Sequence, residues 1–121
     1  MKPLKIILVA AVLIGLVFAL AFAANVEKGK ALFNDPKLGG GAAGKSCNSC
    51  HMGGKGLEMA GEKKEFNIMG KKQQGIEEAV NFCIVNAVKG KAIDAKGKEM
   101  ADIVAYIKSL KAAGAAPGYG K

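Results

Sequence analysis

A chain of 121 residues holds one domain at most, and 17 glycines with no tryptophan give it little bulk from which to build a core. Domains this small commonly need a disulfide, a metal or a bound group as a staple. All 18 basic residues are lysine and the formal charge is +8, of which Lys2 and Lys5 account for two, leaving +6 beyond the N-terminal segment. Aromatic residues do not interleave with those lysines, which argues against nucleic-acid binding.

Met1 to Lys5 is short and positive, and Ile6 to Phe22 is almost unbroken apolar sequence. Ala21-Phe22-Ala23 is a small-x-small pattern just before polar Asn25, so residues 1–24 read as a secretory signal cut near Ala23 or Ala24. The apolar run also nearly suffices to cross a bilayer, and an uncleaved membrane anchor is the second reading. Either way the domain is expected to be periplasmic or otherwise exported, touching a membrane only if the segment stays on.

A first helix is expected from Asn25 to Asn34, capped by Asn25 and closed before Pro36. Gly39, Gly40, Gly41 and Gly44 suggest a flexible lead into Cys47. Met52 to Lys72 shows no clean periodicity and reads as a long loop, a form that in so small a domain usually serves function. Ile76 to Lys89 reads as a second helix, with Ile76, Val80, Cys83 and Ala87 on one face and Gly90 closing it. A third runs from about Lys98 to Lys111 on a stripe of Met100, Ile103, Ile107 and Leu110. No strand pattern is convincing, so the fold is expected to be all-α, with the domain at 25–111 and a flexible tail at 112–121.

The chemistry concentrates in Cys47-Asn48-Ser49-Cys50-His51, the C-x-x-C-H pattern of covalent haem attachment. Two thiols at this spacing reach the two vinyl groups on one porphyrin edge, and the adjoining imidazole becomes the proximal iron ligand. A redox disulfide would want a strand before Cys47, and none is evident. A zinc site would want four ligands, and His51 is the only histidine. One covalent haem c is therefore expected on Cys47 and Cys50, with His51 on the iron.

With that motif in place, the chain resembles a class I c-type cytochrome over nearly its whole length past the N-terminal segment. Glu27-Lys28-Gly29-Lys30-Ala31-Leu32-Phe33 resembles the opening helix of that family, and Val104-Ala105-Tyr106-Ile107-Lys108-Ser109-Leu110 the closing one. The resemblance implies that Gly29 lets the last helix approach closely, that Tyr106 crosses the first helix and that Phe33 packs near the haem. It also implies a methionine before the last helix, yet Gly90-Lys91-Ala92-Ile93-Asp94 contains none.

The distal ligand stays open among several residues. Ile76-Glu77-Glu78-Ala79-Val80-Asn81-Phe82-Cys83, then Gly90, Lys91, Glu99, Met100 and Tyr106, resemble haem domains of thiosulfate dehydrogenases and related sulfur-oxidising cytochromes. That resemblance implies that Cys83 is an axial ligand to a low-potential haem. The arginine that follows the cysteine there is replaced by Asn86, and a single attachment motif is found in these 121 residues where those enzymes usually carry a second haem domain. From its place on the apolar helix face, Cys83 is either an inward thiolate ligand or a buried structural cysteine. Met69 and Met59, in the flexible stretch, are alternative ligands or haem-edge contacts. Met100 is another, set against its place on the third helix stripe.

The sixteen lysines past residue 24 suggest a soluble surface with a steering role toward acidic redox partners. The expected function is a monomeric, single-haem carrier of electrons between periplasmic or membrane partners. The alternatives are a haem subunit of a sulfur-compound oxidising enzyme or an open-site haem that binds a gas. With no further His, no Arg and no paired acid–base groups, the chain is not expected to be an enzyme by itself.

Overall fold

The computed structural model describes residues 23–114. All but the last two residues of the signal or anchor reading of residues 1–24 lie outside the described residues, as does the part of the tail reading of 112–121 beyond Gly114; residues 112–114 continue the last helix.

The first helix, α1 (Val26–Phe33), begins where Asn25 leaves extended backbone and its side chain accepts the Lys28 N–H at 2.9 Å. That bond satisfies one of the free donors of the first turn. The helix ends at Asn34, ahead of Pro36, and buries Gly29 and Phe33. The chain closes with α4 (Lys98–Gly114), and these two helices form the main interface of the molecule. Gly29 makes the crossing possible: a methyl group there would fall 1.9 Å from the Asp102 carbonyl oxygen and 2.9 Å from the Tyr106 Cβ. Phe33 and Tyr106 meet edge to face with ring centroids 5.1 Å apart, worth about 0.5–1.5 kcal/mol beyond area burial. Around them Met100, Ile103, Val104, Ile107 and Leu110 of α4 bury against Phe33, Leu38, Val80 and Ile84.

Asp102 is the one buried charge in that interface, 3% exposed. Its Oδ1 accepts the Asn25 N–H at 2.6 Å and an ion pair from Lys98 one turn back. Burial acts to raise its pKa, but the Lys98 and Asn25 hydrogen bonds and the charges of Lys98 and Lys28 outweigh it. The carboxyl is held below its ordinary 3.8.

Helix α3 (Ile76–Cys83) departs from the expected form. It runs on as a π turn, Ile84–Val88, and Lys89 takes the left-handed cap that the sequence assigns to Gly90. The wider turn buries Ile84 and Val88, while Ala87, expected on the inner face with Cys83, lines a cavity beside it. Gly90 instead makes a close approach, where a Cβ would lie 2.8 Å from the Leu38 carbonyl oxygen. Lys91 N–H then donates to Gly39 O at 2.8 Å. The glycine lead before Cys47 is correspondingly ordered: Leu38–Gly40 is a 3₁₀ turn and Gly41 is buried beside Val88. Asn81 of α3 holds the following loop with both ends of its amide, accepting Ile93 N–H and donating to Ile93 O, each at 2.9 Å.

The stretch from Met52 to Lys72 corrects a second expectation. It contains 3₁₀ turns at Met52–Gly54 and Ala60–Glu62 and then an antiparallel hairpin, β1 (Glu65–Ile68) paired with β2 (Lys71–Gln74). The Ile68↔Lys71 pairing leaves Met69 and Gly70 as a two-residue turn with φ of 54° and 76°, the backbone hand that hairpins favour. Phe66 and Ile68 alternate inward and pack toward α3.

Candidate haem site

Cys47 and Cys50 bound the one-turn helix α2 (Cys47–Cys50). Ser46 and Ser49 start it by a reciprocal cap, with Ser46 N–H donating to Ser49 Oγ at 3.0 Å. The turn places Cys47 half-buried and Cys50 at the surface, with His51 at its end.

His51 is oriented by its own loop. Its Nδ1 lies 3.1 Å from the Lys55 carbonyl oxygen. A carbonyl only accepts, so Nδ1 carries the proton and the Nε2 lone pair is left free, as a metal ligand requires. The Asn48 side chain closes the turn beneath by accepting Gly53 N–H at 2.8 Å.

The imidazole faces a cleft of two lobes. The larger, about 220 Å³, has His51, Cys47 and Cys83 in its wall and apolar side chains from every flanking element: Phe33 of α1, Phe66 of β1, Val80 of α3 and Ile107 of α4. The smaller, about 140 Å³, shares Cys47, His51, Ile68 and Cys83 and adds Cys50, Met69 and Asn86. All three cysteines are free thiols. Burial, then the charge of Cys83, pushes the Cys47 thiol up to about 11 from its ordinary 9.0, with a smaller push from Cys50 and a backbone hydrogen bond opposing. Burial and then the charge of Cys50 raise Cys83 likewise. Among the described residues no three His, Cys, Asp or Glu side chains converge to hold a bare metal ion. A flat apolar group anchored by two thiols and one imidazole nitrogen fits these walls; a zinc ion does not.

The candidate distal residues separate clearly. Cys83 lines both lobes, together with His51. Met69 lines the smaller lobe at its rim, 80% exposed and in left-handed backbone. Met59 is exposed and lines neither lobe, and Met100, 1% exposed, is a core residue on the far side of α4. Two wall residues, Phe66 and Ile68, were legible only as apolar residues in a loop; their i, i+2 spacing was the available signal. The Lys55 carbonyl, a backbone group, had no sequence signal at all.

Helices that cross at Gly29 and Tyr106, an attachment turn and an apolar cleft fit the fold of a class I cytochrome c. The chain belongs to the SoxA/TsdA, cytochrome c domain family, whose model matches residues 28–115. Curated proteins and solved structures give no match to it. The domain is accordingly a c-type, haem-bearing, electron-carrying module. Among the described residues no helix is long and apolar enough to cross a membrane.

Proposed function

We propose that this is an exported single-haem carrier in which Cys47 and Cys50 would hold the haem covalently and His51 and Cys83 would be its iron ligands. The observation that carries the reading is that His51 and Cys83 line both lobes of one cleft, while each methionine among the described residues is exposed at the rim, outside the cleft or in the core. When bound, haem c supplies one-electron exchange between ferric and ferrous iron. The protein's part is to anchor, orient and keep water out. The Lys55 carbonyl fixes the imidazole tautomer, and Phe33, Phe66 and Ile107 make the walls dry. An anionic sulfur ligand favours the oxidised, more positive iron, which sets the potential low.

Exposed lysines surround the domain, including Lys63, Lys64, Lys71, Lys89 and Lys91, and they support steering toward an acidic partner. Partner-dependent electron transfer should then slow as ionic strength rises. The absorption and low-temperature EPR spectra of the ferric holoprotein test the ligand set. Thiolate character that disappears in Cys83→Ala is expected, and a methionine signature untouched by that change would sink the assignment. The family match also favours a second reading, a haem subunit in sulfur-compound oxidation. Thiosulfate turnover by the isolated domain with an artificial acceptor would select it over the carrier.

A further inference from the structure

The two lobes of the cleft are nearly bare of polar side chains. Apart from His51, among the described residues only Ser46 and Asn86 bring a side-chain nitrogen or oxygen to the wall of either lobe. Ser46 caps α2 and is engaged with Ser49. Asn86 stands in the π turn, three residues after Cys83, and both are half-buried. They line the smaller lobe together, as residues three apart on a helical segment can.

The Asn86 amide is held in place. Its Nδ2 donates to the Phe82 carbonyl oxygen at 2.8 Å. That bond spans the point where α3 gives way to the wider π turn, a form of helix frequent at functional sites. An amide nitrogen carries two hydrogens, and the Phe82 carbonyl takes one. Among the described residues the second has no protein acceptor. A thiolate sulfur only accepts, and hydrogen bonds around a ligand are a lever on potential. Donation draws charge off the sulfur, so the oxidised state is favoured less. We propose that Asn86 is the positioning residue of the Cys83 sulfur: anchored on Phe82, it gives that sulfur its second N–H and holds the potential above the value the anionic ligand alone would set. The inference rests on Cys83 as an iron ligand and adds to it the group that tunes that ligand.

The test is the midpoint potential of the haem-loaded protein by spectroelectrochemistry at fixed pH, with the ferric EPR spectrum beside it. Asn86→Leu keeps the size of the side chain and removes both hydrogens. Asn86→Ser keeps one, which in a helix returns to the carbonyl four residues earlier, so the bond to Phe82 stays and the second donor is lost. Both variants should lower the potential. At a fixed applied potential the ferric-to-ferrous ratio should rise about ten-fold, which is about 59 mV for one electron. Asn86→Ser at the wild-type potential would mean that the amide serves Phe82 alone, and the proposal falls. Both substitutions are repeated in Cys83→Met, whose thioether is a weak acceptor, and there the shift should vanish. An equal shift in that background also overturns the proposal, because the amide then acts without the sulfur. A Cys83→Met spectrum identical to the wild type would instead remove the ligand reading on which it rests.

Discussion

The α1–α4 pair and the segment from Cys47 to Gln74 are packed in opposite ways. In the first, nearly every inward side chain on α4 touches another side chain, and a single glycine sets the helix separation. In the second, the 3₁₀ turns and the hairpin leave a cleft with Met69 at its rim, and Met52 and Met59 are exposed outside it. One region is specified by complementarity between polypeptide surfaces, the other by the outline of the group it holds. A small domain can afford only one such hollow, and it puts that hollow beside its best-packed interface.

The largest effect should come from removing the haem anchorage. Cys47→Ala with Cys50→Ala should yield mostly unfolded protein, since binding supplies folding free energy. Hydrogen exchange should show Cys47 to Gln74 opening before α1 and α4. A cooperative, well-folded haem-free form would erase the contrast between the two regions. Next in size, Gly29→Ala should cost about 1–3 kcal/mol or more through overpacking, seen as a lower unfolding midpoint with α1 and α4 driven apart.

Asp102→Asn comes third, at about 1–3 kcal/mol at neutral pH for a buried charge-assisted hydrogen bond weakened. Its pH dependence gives the sign. The folded carboxyl titrates below its ordinary 3.8, so its contribution is whole above about pH 5 and fades as pH falls through the unfolded value toward the folded one. Acid denaturation curves of the wild type and the Asn variant should converge at low pH; parallel curves would remove the ion-pair account. The smallest effect lies at the hairpin. Met69→Asn places a residue suited to positive φ at the 54° position and should stabilise by about 0.5–1 kcal/mol. A loss of stability there would mean that the thioether packs in the cleft after all.

Legibility in the sequence followed the same division. The Asn25 cap and the burial of Met100 were readable because helix chemistry is local and periodic, and the Gly29–Tyr106 crossing was readable only through the resemblance of the first and last helices to a known family. The attachment motif was readable because its spacing is dictated by a porphyrin edge. The hairpin escaped because Lys71–Gln74 has no apolar residue to alternate, and its turn begins with Met69 where asparagine or glycine would have signalled it. The π turn escaped for a different reason. Ile76, Val80, Cys83 and Ala87 fit helical spacing, and one extra residue per turn is set by how Ile84 and Val88 bury, which is a tertiary matter. Cys83 was found by resemblance and inward position together; its partnership with His51 across one cleft needed three-dimensional placement.

The amide of Asn81 has a consequence for how the chain returns from α3 to α4. By holding both backbone groups of Ile93 it acts as a one-residue strand, fastening the loop between the two helices to the same helix that carries Cys83. A single side chain thus buckles a long loop at one point, and the loop cannot shift there without dragging that helix or breaking both bonds.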